Sequence, residues 1–249
     1  MFSFFNKKNI ISDIEWLGVD IHSHLLPALD DGSQNITQSL NYIHQLQELG
    51  FSRLICTPHI YSDVYPNTRE TILPVLAEVR LGVKKAGWRI EIDAAAEYMA
   101  DGSFTAVEDL LTLPQMHILI EMSYLSETPN IDEIIFDLQI RGYKVILAHP
   151  ERYNYYHGNI QRYQRFKEIG CGLQLNLLAI LGYYGKRVKV AAEEILKEQL
   201  YEFAGTDLHH EKHLLNLTAA IRNGTLYKML GKYEFRNNEV FSLPGKIVI

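Results

Sequence analysis

Two histidines one residue apart follow a short apolar run near the start of the chain, in the segment GVDIHSHLLPALDDGS (18–33). Alternate residues of a strand face the same side, so His22 and His24 would present both rings on one face. Asp30 and Asp31 follow within a few positions. Imidazole and carboxylate groups are common ligands of divalent metal ions. This segment alone leaves two interpretations open, a metal site or solvated polar residues.

Further residues of metal-ligand type end most of the other β-prone runs. They occur in CTPH, AAAEY, LIEMS, ILAHPER and GTDLHH, as His59, Glu97, Glu121, His149, Asp207 and His209. Each has an ordinary alternative, such as a helix cap for Asp207 or a solvated carboxylate for Glu121. Chance would have to repeat at nearly every strand end, and carboxylates that converge on one point repel unless cations compensate them. The pattern therefore predicts a metal centre.

The candidate ligands are more numerous than one ion needs: His22, His24, Asp31, His59, Glu97, Glu121, His149, Asp207 and His209. Mixed imidazole and carboxylate ligands without thiolate favour Mn²⁺, Fe²⁺ or Zn²⁺ over Ca²⁺ or Mg²⁺. We therefore expect two or three divalent transition-metal ions, with manganese preferred. Clustered ions are typical of phosphate-ester hydrolysis, because they clamp a phosphoryl oxygen and supply hydroxide at neutral pH. The ligand set thus predicts a metallophosphatase.

Arg152 follows His149 by three residues and is predicted to bind the phosphate, since a guanidinium matches phosphate oxygens with its fork of N–H groups. Without the metal site, an ordinary surface arginine would be the preferred interpretation. Glu97 and His209 are predicted to take part in catalysis together with Arg152. The basic, aromatic stretch YYGKRVK (183–189) either meets an anionic substrate or begins a solvated helix, and both interpretations remain open.

The elements that must position these residues are short β-prone runs alternating with helical patterns. The predicted strands cover 18–22, 53–57, 90–96, 117–122, 143–148, 172–177 and 201–206, and the predicted helices cover 34–49, 68–86, 131–141, 159–169, 186–200 and 211–222. Without a linker rich in proline, glycine or serine, this alternation predicts one α/β domain with a parallel sheet, closed into a barrel or open and doubly wound. In both folds, functional residues gather at the carboxyl ends of the strands.

The composition argues against several other classes of protein. The chain of 249 residues is 47% hydrophobic and has a formal net charge of −6, so neither a disordered nor a nucleic-acid-binding protein is expected. No GxGxxG or GxxxxGK[ST] motif follows a strand, which argues against dinucleotide and P-loop nucleotide binding. Cys56 and Cys171 lie in or beside apolar runs and predict buried thiols, and neither has the arginine spacing of cysteine-dependent phosphatases.

The two ends of the chain predict no integral membrane segment. The N-terminal apolar residues precede the lysines and are too few to cross a bilayer or to form a secretory signal. We expect a cytoplasmic protein in which residues 1–17 form a leader, residues 18–225 form the catalytic domain and residues 226–249 form a tail packed on its outside. A homo-oligomer is compatible with the sequence.

The motifs as an ordered set resemble a known superfamily. DIHSHLLPALDDGS, CTPHI, AAAEY, LIEMS, ILAHPERY and GTDLH look like the motifs of the PHP (polymerase and histidinol phosphatase) superfamily. Within it, residues 18–215 are most similar to bacterial tyrosine-protein phosphatases encoded with capsule and exopolysaccharide genes. HSHLLPxxDDG combined with AHPERY is specific, whereas His-x-His alone also occurs in amidohydrolases. The resemblance implies a single-domain, distorted (β/α)7 barrel.

The resemblance also implies how the ligands divide among three ions. His22, His24, Glu97 and Asp207 would hold the first, Glu97 as a bridge would join Glu121 and His149 around the second, and Asp31, His59 and His209 would hold the third. Asp30 would support the turn, and Arg152 would contact the phosphate. A further basic residue is expected after the D-x-H motif, with the choice between Lys212 and His213 left open.

The function that the resemblance implies is hydrolysis of phosphotyrosine on the tail of an autophosphorylating tyrosine kinase that controls polysaccharide polymerisation and export. One alternative is a phosphatase of histidinol phosphate or another small phosphomonoester on the same scaffold. A second alternative is a non-catalytic, metal-stabilised module that docks another protein. The complete ligand motifs favour catalysis over the docking module, and the acidic net charge argues against nucleic acid as the substrate.

Overall fold

The computed structural model describes residues 10–101, 104 and 109–242, and the strands within them form two parallel sheets. The strands are β1 (Val19–Asp20), β2 (Arg53–Cys56), β3 (His59–Ile60), β4 (Glu91–Ala94), β5 (Glu97–Met99), β6 (His117–Glu121), β7 (Lys144–Ala148), β8 (Gly172–Asn176) and β9 (Phe203–Gly205). One sheet has the order β1-β2-β4, and the other has the order β3-β5-β6-β7-β8-β9. All pairings between these strands are parallel.

Helices alternate with the strands along the chain. They are α1 (Ile36–Glu48), α2 (Arg69–Ala86), α3 (Ile131–Ile140), α4 (Ile160–Glu168), α5 (Leu177–Ile180), α6 (Lys186–Lys197), α7 (Glu211–Arg222), α8 (Thr225–Leu230) and α9 (Asn237–Phe241). Local sequence explains their limits: Asn35 caps α1 by accepting a hydrogen bond from the N–H of Gln38. Gly87 ends α2 with φ 72, a left-handed conformation that glycine adopts without a Cβ clash.

The two sheets are joined into one ring, by the continuing chain on one side and by backbone hydrogen bonds on the other. On one side, β2 runs on into β3 and β4 runs on into β5, so two segments of chain contribute to both sheets. On the other side, the residues after β1 pair with those after β9. There the N–H of Asp207 donates to the carbonyl of His22 (2.8 Å), and the N–H of His24 donates to the carbonyl of Leu208 (3.0 Å). Seven strand positions therefore surround the core, which agrees with the expected distorted (β/α)7 barrel.

The predicted strands and helices are confirmed, and two of the predicted strands are each followed closely by a further strand that belongs to the other sheet. The predicted strand 90–96 leaves the first sheet after Ala94, and the chain pairs again as β5 in the second sheet. The predicted strand 53–57 likewise ends at Cys56 and is followed by β3. Ala95 and Ala96 lie at the first of these bends and are fully buried. Residue pattern alone does not reveal such a change of sheet, because the apolar run continues through it.

The inner core of the barrel is built from alternate strand residues and closed by α9. Val19, Ile55, Leu119 and Ile146 pack together in this core, and α9 adds Val240 and Phe241. The contacts of Phe241 with His117 and Phe203, the first residues of β6 and β9, put α9 at the amino ends of the strands. The opposite, carboxyl ends of the strands are thereby left for the functional site.

Parts of the predicted leader and tail lie outside the described residues, namely 1–9 and 243–249. In the described part that precedes β1, Ile14 and Leu17 are buried. Among the described residues, no helix combines the length and the apolar composition that crossing a membrane requires. Cys56 and Cys171 are both buried and free.

Candidate metal centre

The nine predicted ligand residues lie together at the carboxyl ends of the strands. Their ligand atoms form three groups with mutual distances within 4.8 Å: His22, Glu97, His149 and Asp207; His24, Asp31, His59 and His209; and His59, Glu97 and Glu121. Glu97 and His59 each belong to two groups, so the groups are continuous. A carboxylate shared in this way has the position that a bridge between two ions requires.

Three placements differ from the division that the resemblance implies. His24 falls in the group of Asp31, and His149 falls in the group of Asp207. His59 falls in its expected group and also in that of Glu121. However, His24 Nε2 also lies 3.4 Å from Glu97 Oε2 and 3.4 Å from Asp207 Oδ1, so this ring stands between two groups. The assignment of each ligand to an individual ion therefore stays a prediction.

The carboxylate of Glu97 at the centre of the site is fully buried and lacks a hydrogen-bond donor on Oε2 among the described residues. Three imidazole nitrogens surround this oxygen: His22 Nε2 at 3.1 Å, His59 Nδ1 at 3.2 Å and His24 Nε2 at 3.4 Å. A cation between a buried anionic oxygen and several imidazole nitrogens stabilises the oxygen and can bind the lone pairs of the nitrogens. The donor set therefore fits divalent metal ions.

The carboxylates of the site favour positive charge on their neighbours. Burial disfavours an imidazolium, yet Glu97 and Asp207 raise the pKa of His22 to about 9. Conversely, burial opposes ionisation of both carboxyls, but His22 holds the pKa of Glu97 and of Asp207 well below the usual range. Metal ions supply the same positive charge while they bind the lone pairs of neutral rings.

Three of the predicted histidine ligands are oriented through their second ring nitrogen. The contacts of Nδ1 are those of His22 with Gln174 Oε1 (2.9 Å), His24 with Asp30 Oδ2 (2.7 Å) and His209 with the carbonyl oxygen of Asp207 (2.9 Å). An acceptor at Nδ1 favours the tautomer with its proton there, which leaves the Nε2 lone pair for a metal ion. The neighbours thus prepare these rings as ligands.

The two adjacent aspartates of the first motif have different surroundings. Asp30 Oδ2 also accepts a hydrogen bond from the N–H of His59 (3.0 Å), and Oδ1 accepts one from the N–H of Gly32 (3.0 Å). The side chain of Asp31 is 57% exposed, and its Oδ1 lies 3.5 Å from His59 Nε2 and 3.6 Å from His209 Nε2. This geometry fits a supporting role for Asp30 and a ligand role for Asp31.

Two of the predicted ligands have left-handed backbone conformations. His149, directly after β7, has φ 33, and Asp207, two residues after β9, has φ 50. For a residue other than glycine this conformation costs about 1–3 kcal/mol and persists only where the surrounding structure imposes it. Its occurrence at two points of one site indicates that side-chain placement there takes precedence over local backbone energy.

Arg152 lies beside the predicted metal ligands and contacts two aromatic rings. Its Nη1 donates to Asp207 Oδ2 (2.8 Å), to which Asn176 Nδ2 also donates (2.7 Å). The guanidinium carbon lies 4.5 Å from the ring centre of Tyr124 and 4.2 Å from that of Tyr184. Asp207 therefore presents Oδ1 to the histidines and Oδ2 to Arg152.

The pocket over the predicted ligands has a volume of about 400 Å³, in the range of small-molecule sites. Besides predicted ligands, its lining includes Met99, Tyr124, Arg152, Tyr183, Tyr184, His210 and His213. Of the two basic residues left open by the sequence, His213 lines the pocket, whereas Lys212 places Nζ 5.5 Å from the ring centre of Tyr183. Burial and His210 lower the pKa of His213 to about 3, so it offers a hydrogen bond rather than a charge.

Sequence reasoning missed Gln174 and Tyr124. Gln174 had a readable signal, because it alternates with Asn176 in the otherwise apolar run GLQLNL, and alternate strand residues share a face. Tyr124 follows Glu121 in an irregular segment, where no periodicity indicates which way a side chain points. Its contact with Arg152 depends on how that segment folds back over the pocket.

The amino-acid sequence matches a family model described as capsular polysaccharide synthesis, CpsB/CapC, over residues 18–235. Tyrosine-protein phosphatase YwqE of Bacillus subtilis (strain 168) is 27% identical over 198 residues, which cover 78% of this chain and 78% of the relative. Putative tyrosine-protein phosphatase CapC of Staphylococcus aureus is 24% identical over 200 residues, which cover 77% of this chain and 76% of the relative.

A solved structure has the same fold. It is one of the crystal structures of YwqE from Bacillus subtilis and CpsB from Streptococcus pneumoniae, which are described as metal-dependent tyrosine phosphatases. The TM-score is 0.75 at 25% sequence identity, and the match covers 90% of this chain and 94% of that chain. The chain thus shares its fold with that structure over most of both chains.

Proposed function

The chain belongs to the CpsB/CapC family of capsular polysaccharide synthesis, and we therefore propose that it is a metal-dependent tyrosine phosphatase that hydrolyses phosphotyrosine monoesters. The observation that carries the proposal is the convergence of imidazole and carboxylate side chains beside Arg152 in one pocket. The relatives named tyrosine-protein phosphatases support the substrate class.

In this proposal the metal ligands are the predicted nine: His22, His24, Asp31, His59, Glu97, Glu121, His149, Asp207 and His209. Bound divalent ions would polarise the phosphoryl group and make water nucleophilic at neutral pH. Manganese, iron and zinc all suit nitrogen and oxygen donors without thiolate, and we take manganese first. The partition into two or three ions is part of the proposal.

The protein's own side chains bind and orient the phosphate. Arg152 uses Nη1 for Asp207, and its other N–H groups are available to phosphate oxygens in the pocket. The catalytic role proposed for Glu97 is to hold the neighbouring ligands in place, since its Oε1 lies 3.0 Å from His149 Nε2. His209 has Nδ1 2.9 Å from the carbonyl oxygen of Asp207, so its Nε2 is free to bind an ion or carry a proton.

A mechanism through a phosphocysteine has no support in the structure. Cys56 and Cys171 are fully or almost fully buried, and burial raises the pKa of each thiol to about 12. A thiol in this state is not a nucleophile at neutral pH. Neither cysteine lines the pocket that contains the predicted ligands.

We propose further that the physiological substrate is the phosphorylated tail of a bacterial tyrosine kinase that regulates capsule or exopolysaccharide synthesis. The description of the family as capsular polysaccharide synthesis supports this assignment. We also propose that the reaction takes place in the cytoplasm, because free thiols such as Cys56 and Cys171 are typical of reducing compartments.

The test is hydrolysis of a phosphotyrosyl peptide by the purified protein after chelation and readdition of single metals. We expect no turnover without metal, recovery with manganese, and loss of turnover by at least about 1,000-fold in Asp207→Asn and His149→Ala, because metal-ion catalysis supplies most of the acceleration. His44→Gln, a substitution on α1 away from the pocket, is the matched control. Full turnover in the metal-free protein would contradict the proposal. A preference for histidinol phosphate over the phosphotyrosyl peptide would show that the substrate is a small phosphomonoester instead.

A further inference from the structure

The guanidinium of Arg152 lies over two tyrosine rings. Tyr124, from the segment after β6, and Tyr184, from the turn between α5 and α6, have ring centres 4.5 Å and 4.2 Å from the guanidinium carbon. Both distances are within the range of about 6 Å over which a cation is attracted to an aromatic face. Three separate segments of the chain therefore meet at this one side chain.

A hydrogen-bonded chain completes the enclosure of Arg152. Its Nη1 donates to Asp207 Oδ2 (2.8 Å), and Asn176 Nδ2 donates to the same oxygen (2.7 Å). Asn176 Nδ2 also lies 3.2 Å from the hydroxyl of Tyr184. Tyr184 is thus connected to Arg152 twice, through its ring and through Asn176. The described contact of Tyr124 with Arg152 is made by its ring.

This enclosure removes freedom that an arginine side chain otherwise has. A long side chain loses entropy when a substrate orders it, and this loss weakens binding. Two aromatic rings within cation–π distance and a hydrogen bond to the carboxylate of Asp207 restrict its rotation before any phosphate arrives. The remaining N–H groups have no partner among the described residues, and the side chain lines the pocket.

We propose that Tyr124 and Tyr184 are positioning residues that hold the Arg152 guanidinium in its phosphate-binding orientation. The inference rests on the proposed function, because it assigns Arg152 to the phosphate of the substrate. It adds two aromatic residues and Asn176 to the residues on which phosphate recognition depends. A lysine in place of Arg152 would not be held in this way, since an ammonium group has no plane for two rings to enclose.

The first test compares substitutions that remove a ring with substitutions that keep it. We expect Tyr124→Leu and Tyr184→Leu each to lower kcat/KM for a phosphotyrosyl peptide about tenfold, with metal content unchanged. Tyr124→Phe should restore most of the loss because it keeps the ring. The kcat/KM of Tyr184→Phe should lie between those of the wild-type protein and Tyr184→Leu, because the variant keeps the ring but loses the contact with Asn176. Equal losses in the leucine and phenylalanine variants at position 124 would overturn the proposal.

A double-mutant cycle separates positioning of Arg152 from a general structural effect. If Tyr184 acts through Arg152, Tyr184→Leu should lower kcat/KM less than about twofold in an Arg152→Ala background. A loss as large as in the wild-type background would overturn the inference. Tyr227→Leu is the matched control, because Tyr227 packs on Trp16 outside the pocket. It should leave kcat/KM unchanged in both backgrounds.

A binding measurement keeps the inference distinct from the proposed function. Calorimetry would follow inorganic phosphate binding to the metal-loaded protein, and we expect the Kd to rise about tenfold in each leucine variant. If the wild-type protein hydrolyses no phosphotyrosine with any metal, the proposed function fails. Unchanged Kd values in the leucine variants would separately overturn the inference that Tyr124 and Tyr184 position Arg152. Circular dichroism checks folding. If Tyr184→Leu does not fold, the leucine and phenylalanine pair at position 124 decides the question.

Discussion

Asp30 shows how much of the site depends on a single residue that is not itself a predicted ligand. Its carboxylate contacts His24 Nδ1 and accepts hydrogen bonds from the N–H groups of His59 and Gly32. It therefore orients one predicted ligand, fixes the backbone of a second and shapes the turn that carries Asp31. Residues of this kind tune metal affinity without touching the ion.

We expect Asp30→Asn to weaken metal binding about 10–100-fold, because the neutral amide has one acceptor oxygen and does not hold the proton on His24 Nδ1 as a carboxylate does. Competition with a chromophoric chelator measures the change in affinity. Asp63→Asn, which removes an exposed carboxylate from a neighbouring loop, is the control. Equal affinities of the two variants would show that Asp30 has no such role.

At the scale of elements, the short helix α9 joins the first and last strands of the barrel. Asn237 at its start is fully buried and hydrogen-bonds to both strands. Its Nδ2 donates to the carbonyls of Val19 in β1 (2.8 Å) and Ala204 in β9 (2.7 Å), and its Oδ1 accepts from the N–H of Ala204 (3.0 Å). One side chain thus links the backbone of β1 to the backbone of β9.

Asn237→Ala should lower the free energy of unfolding by about 2–4 kcal/mol, because it leaves buried backbone groups of two strands without partners. Urea unfolding measures the loss. Asn216→Ala on α7 is the control, since its side chain is exposed and donates a hydrogen bond to the carbonyl of Lys212 in the same helix. If both variants unfold at the same urea concentration, α9 does not stabilise the barrel through Asn237.

At the scale of the whole molecule, the predicted ligands come from segments that follow nearly every strand. Bound metal would therefore link the strand ends to one another and compensate the buried carboxylates of Glu97 and Asp207. Because the unfolded chain has no such site, metal binding stabilises the folded state.

Metal at about 100 times the Kd should stabilise the folded protein by about 2.7 kcal/mol. For a chain of this size, chelation should therefore lower the Tm by about 5–10 °C relative to the metal-loaded protein. Differential scanning calorimetry with and without chelator measures the shift. Readdition of manganese should restore the Tm, whereas calcium should not. A Tm that is independent of chelator would argue against metal binding at this site.

A second property of the whole molecule is the dependence of its stability on pH. His117 contributes to this dependence from the end of the barrel opposite to the candidate metal centre. The ring is buried against Phe203 and Phe241, and its Nδ1 lies 2.8 Å from the carbonyl oxygen of Pro114. Burial lowers the pKa of His117 below its usual 6.5. The unfolded chain therefore binds this proton more readily than the folded chain. The contribution of His117 to stability is complete above pH 6.5 and is lost as the pH falls below it.

We expect the free energy of unfolding of the wild-type protein to fall more between about pH 7.5 and pH 5.5 than that of His117→Asn. Asparagine does not titrate, and its amide can still donate to the Pro114 carbonyl. Urea unfolding at both pH values, with chelator present throughout, isolates the difference from metal binding. The same pH dependence in both proteins would exclude His117 as a contributor.

The secondary structure and the chemistry of the site could be predicted from the sequence because both depend on local signals. Apolar spacing and terminal residues such as Asn35 and Gly87 act within a few positions, so the predicted helices lie close to the observed ones. The parallel α/β order places strand ends at one edge, which makes residues such as His149 and Asp207 candidates on their position in the sequence alone. The types of ligand follow from the residues themselves.

The tertiary structure decided what depends on contacts between distant segments. It moved the chain from one sheet to the other between β4 and β5 and gave the ligands of individual groups their distances. It also brought the rings of Tyr124 and Tyr184 into contact with Arg152, although the two tyrosines lie far apart in the chain. The physical reason is that these contacts depend on how loops and sheet edges close in three dimensions, whereas residue types and periodicity carry information only about each segment by itself.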